Sequence, residues 1–198
     1  MTRVGTESET LKRTASRVAW SIFVLIVLST VAGEAVSAAQ GSGVDGFAIF
    51  VMSFPLVGAL IVSSRPDNNV GWVMLGIGAL LGVSELLEIY AVFGLDVRPG
   101  SLPVPGVALA LNAPMWVPVI GLPGTFLILL FPDGRLPSSR WRPWGWFCLA
   151  ALVLSYLAIL IQPYEFVDEG YPGVTNPFGI DAMASFAGVG NPTAQPSQ

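Results

Sequence analysis

From Val18 to Ile161 the chain is a succession of long apolar runs broken by short polar turns, and that pattern leaves few folds open. The runs cover 18–36, 46–62, 70–92, 107–131 and 143–161. A helix needs roughly 20 apolar residues to cross the hydrocarbon core of a bilayer, with a range of about 17–25. Only 11% of the 198 residues are charged and 53% are hydrophobic, where a soluble domain carries about 25% charged residues. A soluble core of this size could not bury so much continuous apolar sequence. The expected fold is therefore an all-α integral membrane bundle of about five transmembrane helices.

The turns between the runs have their own chemistry. Gly41-Ser42-Gly43 is a short flexible turn, and Pro55 interrupts the second run. Pro66 forbids helix continuation, and Asn68 or Asn69 can cap the third helix. Residues 97–105 are rich in Pro and Gly and read as a loop, and 132–142 is the most polar loop. Residues 1–17 are expected to form a cytoplasmic segment and 18–161 the bundle. The Gly-, Pro-, Ser- and Asn-rich residues 162–198 are expected to form an external, flexible tail.

Basic residues set the expected orientation. With the N-terminus in the cytoplasm, Arg3, Lys12, Arg13, Arg17, Arg65, Arg135, Arg140 and Arg142 all lie inside, and only Arg98 lies outside. The reverse arrangement opposes the positive-inside bias. Trp72, Trp141, Trp144 and Trp146 then fall near the inner boundary, and an odd number of spans leaves the C-terminus outside. Residues 1–38 also fit a secretory signal, with Val36-Ser37-Ala38 as a cleavage site; cleavage would leave four spans in the same orientation.

Several chemistries are excluded by composition. There is no histidine and one cysteine, Cys148. An internal disulfide is impossible, and the commonest general base, metal ligand and pH switch are missing. No catalytic or metal-binding set is expected, and no cofactor. The basic residues are spread over membrane-flanking loops, which gives nucleic-acid binding no support.

The third run has a helical pattern. Gly71, Leu75, Gly78, Gly82, Glu85 and Ile89 fall within about 80° of arc at helical spacing. Gly78 and Gly82 form a small-xxx-small pair that permits close helix packing, within the chain or between copies through this third span. Glu85 on that face is expected to point into the bundle as a proton-sensitive or cation-binding group. The plain alternative puts Glu85 and Glu88 near the headgroups. In the fourth run Pro114, Pro118 and Pro123 should bend the helix, and Trp116 lies where it could line an outer cavity or mark the interface.

The most specific string is Phe131-Pro132-Asp133-Gly134-Arg135-Leu136-Pro137-Ser138-Ser139-Arg140-Trp141-Arg142-Pro143. Pro132-Asp133-Gly134 suits a tight turn just past the membrane, Arg135, Arg140 and Arg142 favour anionic headgroups, and Trp141 anchors the next span. Together with Arg65-Pro66-Asp67-Asn68-Asn69-Val70-Gly71-Trp72, Arg98-Pro99-Gly100-Ser101-Leu102-Pro103 and Asn176-Pro177-Phe178-Gly179-Ile180, it resembles the membrane-embedded N-terminal sensor region of certain actinobacterial-type sensor histidine kinases. The resemblance covers about residues 50–180 in order. It implies a multi-span input module that feeds cytoplasmic kinase domains, and it brings no catalytic residue with it. The further apolar span, the phosphorylatable histidine and the nucleotide-binding box that such kinases carry do not follow here.

The expected function is a non-enzymatic membrane sensory or interaction module at the plasma membrane. Its partners would be the lipid bilayer, a cytoplasmic or membrane signalling protein, or a second copy. The alternatives are a small transporter or channel subunit, motivated by Glu85 and the proline-broken fourth run, and a truncated product without function.

Overall fold

The computed structural model describes residues 2–39, 41 and 51–183, with only the backbone over 2–8. Three helices pack as a trio: α1 (Thr2–Ala39), α2 (Ser53–Ser64) and α3 (Asn69–Val92), the last prolonged by a π-helical turn at Phe93–Val97. A broken helix follows over Pro105–Leu130. It consists of α4 (Pro105–Asn112), a 3-10 turn, α5 (Trp116–Leu122), a π-helical turn and α6 (Ile128–Leu130). A 3-10 turn at Ser139–Trp141 leads into α7 (Arg142–Leu160). Among the described residues four helices are long and apolar enough to cross a membrane: Glu9–Ala39, Asn69–Val97, Pro105–Leu130 and Ser139–Leu160.

Two boundaries differ from expectation. The first helix does not begin at the apolar edge near Val18 but runs through the polar segment from Thr2. Lys, Glu, Leu and Arg are strong helix formers, so nothing in 2–17 stops the helix, and Arg13 pairs with Glu9 one turn away at 3.5 Å. Residues 2–17 are thus helical and continuous with the first apolar run. In the second run, residues 42–50 lie outside the described set, as do Ser42 and Gly43 of the expected turn. What is described is α2, 12 residues long. Val51 is helical and Met52 is a turn, so the run is interrupted just ahead of Pro55, which then sits in the first turn of α2, where an N–H is not needed.

Small residues set the packing of the trio. The backbones of α2 and α3 meet at Gly58 and Gly71: a Cβ on Gly58 would lie 2.8 Å from the Gly71 carbonyl oxygen. Gly78 receives the Pro55 ring and the end of Ile26, and Gly82 receives Ser29. The glycine face of α3 is therefore filled by α1 and α2 of the same chain. Ala19, Ala59, Val62 and Leu75 are buried at the centre of this contact.

Two of the three prolines of the broken helix coincide with a change of winding, while Pro118 lies within the first turn of α5, where a missing N–H is tolerated and the winding stays regular. Pro114 lies in the 3-10 turn and Pro123 opens the π-helical turn. The Thr125 hydroxyl donates to the Gly121 carbonyl at 2.6 Å, which occupies an acceptor near the irregularity. Tyr156 of α7 donates its hydroxyl to the Leu111 carbonyl at 2.8 Å, tying α7 to the first bend. Otherwise α7 is peripheral and none of its residues is buried.

The largest departure lies beyond α7. Residues 162–183 do not form a loose tail but fold back over the end of the bundle. Phe166 is completely buried against Ala91, Ala108, Leu109 and Ala110, and Glu165 and Thr175 form an isolated antiparallel bridge. Composition hides this because one aromatic anchor and one asparagine hold the segment. Residues 184–198 of the expected tail lie outside the described set.

Candidate functional site

The site with the most specific geometry is the junction of the 65–72 and 131–143 strings. The chain turns at Pro66 through a hydrogen bond from Asn68 N to the Arg65 carbonyl at 3.0 Å. Asn68 then caps α3: its side-chain oxygen accepts from Val70 N at 2.9 Å. That leaves the next asparagine for a long-range contact. Asn69 Nδ2 donates to the Gly134 carbonyl at 2.8 Å, across 65 positions of sequence. Trp72 secures the turn from the helix side, its indole N–H donating to the Pro66 carbonyl at 2.9 Å.

Gly134 is required on the other side of the junction. Its φ of +71° lies in the left-handed region, and a Cβ there would collide with the Asn68 side chain and the Asn69 amide. Gly134 N donates to the Leu130 carbonyl at 2.8 Å, closing the end of α6. Phe131–Pro132 is a cis peptide. Pro132, Asp133, Arg135, Arg140, Trp141 and Arg142 are all exposed around this buried glycine. Ser16 of α1 bonds Ser63 of α2 at 3.2 Å near the same end, so Arg13, Arg17, Arg65, Arg135, Arg140 and Arg142 gather at one end of the bundle.

The opposite end is acidic and carries the other two strings. Asn176 is buried, and its Nδ2 donates to the carbonyls of Leu160 and Gln162, each at 2.8 Å. Those carbonyls lie at the terminus of α7, which lacks intrahelical donors for them. The Asn176 side-chain oxygen accepts from Phe178 N at 3.0 Å. Gly179 lies against Pro163 with no room for a Cβ. The 98–103 string is tied down by Tyr90, whose hydroxyl donates to the Pro103 carbonyl at 2.8 Å. Tyr171 donates to Asp96 at 3.0 Å, joining the two loops of this end. Burial first, then the hydrogen bond to Asp96 and the charges of Asp96 and Glu88, push the Tyr171 hydroxyl up to about 12. Burial, with the charge of Glu169, raises Tyr164 to about 12 as well.

Glu85, Glu88 and Trp116, the candidates for intramembrane sensing or proton binding, do not converge. Glu85 abuts Gly33 of α1, so its carboxylate lies at a helix–helix contact. Glu88 is exposed and faces the acidic end, where its charge acts on Tyr171. Trp116 is 57% exposed and edges a cleft between α5 and α7 that neither glutamate lines. Sequence reasoning also missed a polar clasp: the Ser84 hydroxyl donates to Asn112 Oδ1 at 2.5 Å, joining α3 to α4. A signal for it existed, since an asparagine in an apolar helix demands a partner.

These features define a helical protein with four helices long and apolar enough to cross a membrane and with structured loops at both ends. No protein-family model, curated protein or solved structure matches the chain.

Proposed function

We propose that the chain is a non-enzymatic, multi-pass plasma-membrane module of the sensory-input type, working through a signalling partner that supplies the output. The N-terminus is cytoplasmic, the arginine end faces the cytoplasm, and the acidic end faces outward. The segment containing α2 completes a fifth span.

One observation carries this reading. The two strings most specific to the family resemblance are held together by the Asn69–Gly134 hydrogen bond, at the end where the arginines gather. That contact joins the start of α3 to the end of α6. A shift of the broken helix 105–130 against the trio would therefore be felt at the junction. A ligand or charge change at the acidic end could bias such a shift only by favouring one of the two packings.

Covalent crosslinking in native membranes, followed by extraction in a mild detergent, tests this. The expected product links the 131–143 loop to a protein carrying a cytoplasmic signalling domain, and its yield falls in Gly134→Ala. Crosslinks to lipid alone, or a product insensitive to Gly134→Ala, would remove the signalling reading.

A further inference from the structure

A cleft of about 580 Å³ opens at the arginine end, between the end of the broken helix and the start of α7. Its mouth is polar, with Arg135, Ser138, Ser139 and Arg142. Its depth is apolar, with Phe126 and Leu130 on one wall and Gly145, Trp146 and Leu149 on the other. We propose that this cleft binds one anionic phospholipid, with the phosphate held between Arg135 and Arg142 and the start of an acyl chain lying against Phe126, Trp146 and Leu149.

Three features fix the occupant. The first is charge: among the described residues no carboxylate forms an ion pair with either arginine. Two guanidiniums at one mouth present forked donors matched to phosphate oxygens, and the serine hydroxyls add donors beside them. The second is depth. From Arg142 to Leu149 the cleft descends α7 by about 10 Å, at roughly 1.5 Å per residue. That is the passage from the headgroup layer into the hydrocarbon layer, so a phosphate at the mouth places its own chain in the apolar part. A free anion would leave the apolar part of the cleft, along Phe126, Trp146 and Leu149, unfilled. The third is the spacing of the walls: Gly145, with no side chain, lies opposite Leu129 and leaves the groove open near its top. Arg140 is not among the lining residues, so the site is narrower than the basic loop as a whole.

The inference goes beyond the signalling reading and needs only that these helices lie in a bilayer. The test uses the full chain in nanodiscs of phosphatidylcholine doped with phosphatidylglycerol, with bound lipid counted by native mass spectrometry after transfer to detergent. The expected result is one retained phosphatidylglycerol per chain, not displaced by inorganic phosphate. Arg135→Gln with Arg142→Gln should weaken retention roughly twenty-five-fold, at about a factor of five per arginine. Arg140→Gln, outside the lining, should weaken retention far less than the double variant. Leu149→Trp, which keeps both charges and fills the apolar part, should also lose the lipid. Equal retention of phosphatidylcholine would overturn the proposal. So would a loss in Arg140→Gln as large as in the double variant, which would mean diffuse surface attraction, or full displacement by inorganic phosphate, which would mean a soluble-anion site. If the double variant does not fold, Leu149→Trp decides alone: full retention there would overturn the site.

Discussion

At Gly58 the backbone of α2 lies so close to α3 that no side chain fits between them. The atoms a Cβ would meet are the Gly71 carbonyl oxygen and the Leu75 amide nitrogen, both at 2.8 Å, and backbone in the middle of a helix cannot turn aside as a side-chain tip can. Gly58→Val should therefore force the two helices apart, at a cost of about 1–3 kcal/mol, the usual range for overpacking a well-filled contact. Thermal unfolding in detergent measures this directly. Gly76→Ala is the matched control: a Cβ there meets nothing within 4 Å, and removing a helical glycine should stabilise slightly, by about 0.5–1 kcal/mol. An equal loss in both variants would show that helix separation is not what Gly58 controls.

At the scale of single elements, the segment after α7 depends on very few groups, which makes it sensitive to small changes. Asn176→Ala removes the donors to Leu160 and Gln162 and strands two carbonyls at the end of a helix. The expected cost is about 1–3 kcal/mol, local to residues 162–183, because the cap can detach while the bundle stays intact. Limited proteolysis should cut this segment faster, with the melting of α1–α3 unchanged. Its tyrosines add a pH dependence. Tyr164 and Tyr171 hold their protons more tightly in the folded state than the usual value of 10.0, with both pushed to about 12. Their stabilisation is thus complete below about pH 10 and fades as the pH rises toward 12. In a tyrosinate absorbance titration the Tyr164→Phe, Tyr171→Phe double variant should lose part of the late-ionising signal. An unchanged late phase would mean that neither hydroxyl is held back by the cap.

The same scale shows what could be read in advance. The start of α3 at Asn69 and both ends of α7 lie within a residue of the apolar edges, each beside a polar turn with a proline, whereas the third helix winds on past Val92 as a π-helical turn to Val97. The glycine face of α3 was legible from spacing alone, and so was the choice of Asn68 or Asn69 as cap. What spacing could not supply was the second partner: nothing local to Asn69 points to Gly134, and nothing in the composition of 162–183 distinguishes a buried Phe166 from an exposed one. The carboxylates illustrate the same limit. Helical phase correctly turns Glu85 toward a neighbouring helix, but only the packed trio shows that the neighbour is α1 at Gly33. The start of α1 at Thr2 was missed because the apolar edge at Val18 is a boundary of environment and not of helix.

For the molecule as a whole, the two ends have opposite character, and this asymmetry makes the orientation testable. Arg65, Arg135, Arg140 and Arg142 gather at one end, while Asp96, Glu165 and Glu169 lie at the other with Arg98. Positive residues hold their loops on the cytoplasmic side far more strongly than acidic residues select the outside. The basic end should therefore be the protected one, even though the net charge of −4 suggests no preference. Replacing Cys148 with serine leaves no thiol, so single cysteines report cleanly. Ser138→Cys and Glu169→Cys are suited to this, since both positions are exposed and lie at opposite ends of α7. A membrane-impermeant maleimide should label position 169 in intact cells and position 138 only after permeabilisation. The two sites are separated by one helix, so α7 must cross the bilayer for them to differ. Labelling of both in intact cells would mean that α7 does not span. Labelling of 138 alone would invert the molecule and move the arginine cleft to the outer leaflet, with the phospholipid it would hold drawn from that side.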